Sequence, residues 1–190
     1  RHNIYLPPFK AAGDARVDSI MTSFSTLNGV PATGNEWLLT EILREEWGFD
    51  GIVVSDWNSV PEMVVHGVAE DGAAAAALAI NAGTDMDMVG HEMDRHGNAI
   101  SFQVPTEDGQ TRTINKLTYH NYLAQLVKEG RVKESTVDRA VERVLMMKFK
   151  AGLIDERSRY TNTETEARIV PENGLNELHR DAAAEVARSA

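Results

Sequence analysis

The sequence predicts an α/β fold built on a parallel sheet, and three observations carry that prediction. Ile52-Val53-Val54 is a β-branched run without polar alternation, the pattern of a strand buried on both faces of a parallel sheet. A helical pattern separates it from an earlier strand-like run, giving a strand–helix–strand unit of about thirty residues, the length of a right-handed crossover. The run then ends on Ser55-Asp56-Trp57, so a carboxylate stands at the C-terminal end of a buried strand, where α/β folds collect their chemistry.

The elements follow in order. Residues 17–24 read as the first strand, with Ile20 and Met21 at its centre. Asn35 can cap a helix whose apolar face is Trp37, Leu38, Ile42 and Leu43, with Gly48 as its stop. Residues 51–55 are the second strand. Asn58-Ser59-Val60-Pro61-Glu62 opens a helix with Pro in its first turn. Residues 70–82 are Ala-rich and helical, ending at Gly83, and residues 84–88 read as a third, shorter strand. Residues 90–114 break this alternation. They are polar and contain the turn sequence Thr106-Glu107-Asp108-Gly109-Gln110, which predicts a loop or a small hairpin of residues 100–104 against 111–114. Residues 117–128 form the next helix, ending at Gly130. Ser135 and Asp138 resemble a capping box for another, with Val137, Val141, Val144 and Leu145 as its buried stripe through to Phe149. Residues 157–173 are polar and turn-rich, as in a linker, and a further helical pattern begins at Leu175. It is still helical at Ala190, and Arg1 opens almost directly into Leu6-Pro7-Pro8-Phe9, so the chain reads as a fragment of a longer one.

Composition narrows the function. The 190 residues are 42% apolar, enough for a core. The formal net charge is -10 and no Lys/Arg cluster stands out, which argues against nucleic acid or an anionic membrane surface as partner. No apolar run approaches the roughly 20 residues of a membrane span. Without cysteine there is no disulfide, thiol chemistry or Cys-ligated metal. His91, Glu92, Asp94 and His96 do not place two histidines at i, i+4, and read as solvated loop rather than as metal ligands. Ser55 lacks the Gly-x-Ser-x-Gly setting of a nucleophilic serine.

Asp56 is the candidate catalytic residue, and two readings of it stand. It can cap the helix that starts near Ser59, or it can do chemistry; Ser59 offers an alternative cap. Trp57 beside it is either core or a flat apolar platform for a ligand such as a sugar ring.

Met21-Thr22-Ser23-Phe24-Ser25-Thr26-Leu27-Asn28-Gly29-Val30-Pro31, then Leu38-Leu39-Thr40-Glu41-Ile42-Leu43-Arg44, then Gly48-Phe49 and Ser55-Asp56-Trp57, resemble glycoside hydrolase family 3, most nearly its bacterial β-glucosidase type. The similarity runs over residues 1–155, interrupted by the 90–114 insertion. The resemblance implies the last strands and helices of a (β/α)8 TIM-type barrel in residues 1–152, a linker over 153–173, and the start of an α/β sandwich domain in 174–190. It implies a retaining β-glycosidase acting on a β-linked oligosaccharide or glycoside. The β-glucosidase reading comes first, with β-xylosidase, exo-glucan hydrolase or a non-catalytic barrel remnant as alternatives. No cofactor or metal is implied. The compartment stays open, a periplasmic or secreted bacterial setting being the one favoured.

In that family the Asp of the Ser-Asp-Trp motif is the nucleophile, which maps onto Asp56. Trp57, Met21 and Phe24 then become candidate substrate-binding residues. Phe24 stands where many members have a Tyr whose hydroxyl can reach the nucleophile; Phe cannot make that bond and either packs or lines the site. Retention needs a second carboxyl group about 5–5.5 Å away as acid/base. Glu36 and Glu41 fall on the crossover helix. Asp85 and Asp87 lie nearer, with strand-end hydrogen bonding as their expected role. The family places its acid/base Glu in the second domain, beyond Ala190, and its Lys-His pair and sugar-binding Asp and Arg ahead of Arg1, so the fragment alone is expected to be inactive.

Overall fold

A computed structural model describes residues 4–89, 101–105, 109–115, 118–156, 162–169 and 177–189. The chain divides into two compact units, Arg1–Met147 and Lys148–Ala190. Expectations that fall on residues 90–100, the reading of His91, Glu92, Asp94 and His96 as solvated loop among them, lie outside the described residues.

The first unit is an α/β arrangement. Helix α1 (Leu6–Asp14) carries Pro in its first turn, where a missing N–H costs nothing. Strand β1 (Ser19–Met21) follows, then a two-residue hairpin of β2 (Thr26–Leu27) and β3 (Val30–Pro31). Its turn is Asn28-Gly29, both at positive φ (55 and 82), the backbone that a tight hairpin requires and that Asn-Gly supplies with little strain. A 3-10 turn (Ala32–Gly34) leads into a helix over Trp37–Glu46 whose winding is of the wide i→i+5 type. Asn35 serves that helix as expected. Its Oδ1 accepts the Leu38 amide at 3.0 Å, while its Nδ2 donates to the Leu27 carbonyl at 3.3 Å and ties the helix start to the hairpin. Gly48, at φ 68, ends it.

Strand β4 (Ile52–Val54) pairs in parallel with β1, Ser19 opposite Ile52, Ile20 opposite Val53 and Met21 opposite Val54. The crossover unit is therefore present. The third strand is shorter than residues 84–88 predict: it is a single parallel bridge, Val54 to Met86. Burial on both faces holds for Ile52 and Val53, 3% and 0% exposed on opposite sides of β4, and loosens at Val54. Ile20, Val53 and Asp85 face the helices, where Leu39, Leu43 and Phe49 complete a cluster with Val53. Met21, Val54 and Met86 share the opposite face, where Met21 is 49% and Met86 40% exposed.

Helix α2 (Ser59–Val65) and helix α3 (Gly72–Ala82) pack through Val60, Met63, Val64, Ala75 and Ala79. Asp71 caps α3 by accepting the Ala74 amide at 2.7 Å, and Gly83 closes it at φ 111. The inserted segment carries a hairpin, β5 (Ser101–Pro105) antiparallel to β6 (Thr111–Asn115), pinned by Ile114, which is buried in the α2–α3 cluster. Helix α4 (Thr118–Lys128) covers α3 through Leu126, Tyr119 and Tyr122.

Helix α5 (Glu134–Lys150) begins one residue before Ser135, and its inward face differs from the expected stripe. Val137 and Ala140 pack inward, and Arg143 reaches inward to Asp85. Val141, Leu145 and Phe149 are about half exposed. Of the expected stripe Val137 packs inward, beside the Arg143 that pairs with the buried Asp85 carboxylate.

The second unit contains the last residues of α5, a turn at Gly152 (φ 71), helix α6 (Thr163–Ile169) within the segment expected to be linker, and helix α7 (Glu177–Ser189). Most of its described side chains are exposed.

Candidate active site

β4 hands the chain directly to Asp56. Ser55 donates its amide to the Met86 carbonyl at 2.8 Å, holding the end of β4 against the neighbouring segment. Strand alternation then turns Asp56 to the open face of Met21, Val54 and Met86. The carboxylate is partly exposed; its Oδ1 accepts the amide of Trp57 at 2.7 Å, and among the described residues Oδ2 accepts no hydrogen bond.

Neither of the expected capping roles occurs. An N-cap accepts from the second or third amide of its helix, whereas Asp56 accepts from its immediate neighbour. Asn58 precedes α2 in the left-handed region (φ 61) without a side-chain cap bond, and the Ser59 hydroxyl points back to the Asp56 carbonyl at 3.1 Å. Asp56 is thereby left with one oxygen oriented and one open, which suits a group that must present a lone pair to a reacting carbon.

The backbone of Asp56 is held by three buried hydroxyls, of which the sequence reading weighed only Ser59, and that as a helix cap. Its amide donates to Thr22 Oγ1 at 3.3 Å; Thr22 Oγ1 meets Thr33 Oγ1 at 2.8 Å; Thr33 Oγ1 donates to Ser59 Oγ at 2.9 Å. Ser55 Oγ adds a bond to the same carbonyl at 3.0 Å. No local signal marks these residues as partners, since they come from β1, the 3-10 turn and α2. The nearest hint was the Asn-Gly turn, which brings Thr33 back beside β1.

The candidate substrate-binding residues are all exposed: Trp57 at 46%, Met21 at 49% and Phe24 at 43%. Met21 shares the open sheet face with Asp56, and Trp57 is bound to its carboxylate through the backbone. Phe24 lies in the loop after β1. Met86 and Met88, 40% and 39% exposed, belong to the same end of the sheet and were not singled out from the sequence. A cavity of about 490 Å³ lies to the side, walled by Tyr5, Phe9, Met21, Leu27, Trp37 and Trp47. Asp56 is not among its walls, so we place the site by the chemistry at the strand end rather than by this cavity.

Asp85 and Asp87 are engaged elsewhere, as strand-end hydrogen bonding predicts. Asp85 is buried and binds Arg44 at 2.5 Å, Arg143 at 2.7 Å and the Val53 amide at 2.8 Å. Asp87 accepts from Thr118 Oγ1 at 2.6 Å and from the Val89 amide at 3.3 Å, with Ser55 Oγ, whose one hydrogen also has the nearer Asp56 carbonyl as acceptor, at 3.4 Å. Burial, with repulsion from Arg143, lowers the pKa of Arg44 despite the attraction of the neighbouring Asp85. Glu36 and Glu41 are exposed on the crossover helix and its start.

The chain is similar to known proteins along most of its length. The Glycosyl hydrolase family 3 N terminal domain matches residues 2–147. The chain is 36% identical over 186 residues to a periplasmic beta-glucosidase of Salmonella typhimurium, an alignment covering 98% of this chain and 21% of that protein. It is 37% identical over 187 residues to a beta-xylosidase of Formosa agariphila, covering 97% and 22%. The crystal structure of a beta-glucosidase from Listeria innocua superposes with a TM-score of 0.71 at 30% identity, over 89% of this chain and 20% of that one. The chain thus spans about a fifth of the length of these relatives. With a family domain matched over residues 2–147 and relatives above 30% identity along nearly its whole length, the chain belongs to glycosyl hydrolase family 3.

Proposed function

We propose that these residues form part of a retaining β-glycosidase, of β-glucosidase type, in which Asp56 is the nucleophile. The observation that carries the reading is the state of the Asp56 carboxylate: Oδ1 is oriented by the Trp57 amide and Oδ2 is open on the exposed sheet face. In the first step Oδ2 attacks the anomeric carbon of a terminal β-linked sugar from the face opposite the leaving oxygen. The glycosidic C–O bond breaks, the aglycone oxygen takes a proton from an acid, and an α-linked glycosyl ester forms on Asp56. Water then attacks the same carbon with the former acid as base, so two inversions give retention. Trp57 and Met21 offer the apolar surface on which a sugar face can rest, with Phe24 at the rim.

Asp85 and Asp87 are already committed to donors, and the family resemblance implies that the proton donor is a Glu of the second domain, beyond Ala190. We accordingly read residues 1–152 as the later part of a (β/α)8 barrel, 153–173 as a connection and 174–190 as the start of a second domain that supplies it. A β-xylosidase is the alternative within the same chemistry, since a beta-xylosidase stands among the relatives. The name of the Salmonella relative favours a periplasmic or secreted setting. Among the described residues no helix is long and apolar enough to cross a membrane.

The test is Asp56→Ala in the full-length glycosidase. Turnover should fall by several orders of magnitude, and azide should restore part of it while yielding the α-glycosyl azide, because the anion enters from the vacated side. Near-normal turnover in the variant would end the assignment. The 190 residues alone should release no glucose from cellobiose; release would mean that the acid lies within them.

A further inference from the structure

We infer that Thr22, Thr33 and Ser59 are positioning residues, a closed one-way ring of hydroxyl hydrogen bonds that clamps the peptide of Asp56 at both ends and so sets the aim of its carboxylate. The inference rests on the nucleophile reading above and adds to it the residues that hold the nucleophile.

The sense of the ring follows from counting hydrogens. A Thr or Ser hydroxyl has one hydrogen to give and two lone pairs. Ser59 Oγ gives its hydrogen to the Asp56 carbonyl, and Thr33 Oγ1 gives its own to Ser59 Oγ. Thr33 therefore has none left for the 2.8 Å contact with Thr22, and Thr22 Oγ1 must be the donor there. The lone pairs of Thr22 in turn receive the Asp56 amide. The path leaves the amide of Asp56 and returns to its carbonyl, and every hydroxyl both gives and receives. In such a closed chain each bond polarises the next.

Burial makes the ring a clamp rather than a set of exchangeable contacts. Thr22 is 5%, Thr33 0% and Ser59 4% exposed, so water cannot replace a missing partner. The three residues also anchor separate elements. Thr22 extends β1, its amide donating to the Val54 carbonyl at 2.9 Å, and Ser59 is the first residue of α2. Thr33 is itself held through its carbonyl by Thr84 Oγ1 at 2.8 Å. The backbone of Asp56 is thus referenced to β1, the 3-10 turn, α2 and the segment after α3 at once. The short bond from the Trp57 amide then needs to fix only the side-chain torsions.

Thr33→Val in the full-length glycosidase tests this, because it keeps the shape and removes the hydroxyl. An activated 2-deoxy-2-fluoro β-glucoside forms the glycosyl ester and hydrolyses it slowly, so the rate of labelling at Asp56, read by peptide mass spectrometry, reports the aim of the nucleophile directly. Labelling should slow by about 10- to 100-fold, the range expected of sub-ångström to ångström misplacement. Thr33→Ser should recover it to within about threefold, as the hydroxyl returns without the methyl group. Ser59→Ala, as a second break in the ring, should slow labelling similarly. The urea midpoints, measured in parallel, should separate Thr33→Val from Thr33→Ser far less than the labelling rates do. Unchanged labelling in both Thr33→Val and Ser59→Ala would overturn the clamp, as would slowing in Thr33→Val that Thr33→Ser does not reverse. A wild-type enzyme labelled at another residue would overturn the nucleophile reading instead.

Discussion

Asp85→Ala removes the hub of a buried cluster, and its cost follows from what stays behind. The carboxylate is 2% exposed and lies between Arg44, 11% exposed, and Arg143, 25% exposed. It also accepts the Val53 amide in the middle of β4. Without it two guanidinium groups share a site with no counter-charge, and a central strand amide has no acceptor. Breaking a buried ion pair from one side costs about 3–5 kcal/mol, and an orphaned buried amide about 1–3 kcal/mol. The two penalties overlap, because the relaxation that admits water to one relieves the other, so a loss of about 4 kcal/mol is expected. Arg44→Met is milder. Asp85 keeps Arg143, and the main losses are the guanidinium bonds to the carbonyls of Phe49 at 3.3 Å and Gly51 at 3.1 Å. These amount to about 2 kcal/mol, offset by not having to bury the charge. Urea unfolding followed by tryptophan fluorescence measures both. With a slope of about 2 kcal/mol per M, the midpoint should fall by roughly 2 M for Asp85→Ala and at most about 1 M for Arg44→Met. An unchanged midpoint for Asp85→Ala, or a larger fall for Arg44→Met, would refute the assignment of Asp85 as the hub.

The inserted hairpin should separate into an anchor and a tip. Ile114→Ala, in the α2–α3 cluster at 3% exposure, should cost about 2–4 kcal/mol in urea unfolding. Shortening the hairpin tip around Gly109 should instead leave the midpoint within about 0.5 kcal/mol equivalents and shift the ratio of kcat/KM between aglycones in the full-length enzyme. Tyr119 gives a pH signature. Burial first, then Asp87 and Asp85, raise its pKa well above the usual 10.0, while its hydroxyl donates to the Thr84 carbonyl at 2.7 Å. A raised folded pKa means the contribution is fully present below about pH 10 and is lost as pH rises above it, because the unfolded chain releases the proton first. The urea midpoint of the native chain should therefore fall more steeply between pH 10 and 11 than that of Tyr119→Phe; parallel curves would remove Tyr119 from the account.

Local chemistry settles much of this protein on the sequence alone. Asn35 and Gly48 bound the crossover helix, Gly83 ends α3, and a β-branched run delivers Asp56 to a strand end, because caps, turns and propensities act over a few residues. The family motifs sit on those same elements. What the sequence does not separate is the fate of three carboxylates in nearly equivalent places. Asp56, Asp85 and Asp87 each lie at the end of a strand-like segment, yet one stays open, one is closed by Arg44 and Arg143, and one is closed by Thr118. Arg143 comes from 58 positions along the chain, from a helix whose apolar stripe gives no sign of that pairing. The hydroxyl ring has the same origin, in elements that only the packed fold brings together. A buried polar group must find its partner wherever the tertiary structure delivers one, and no local pattern encodes that distance.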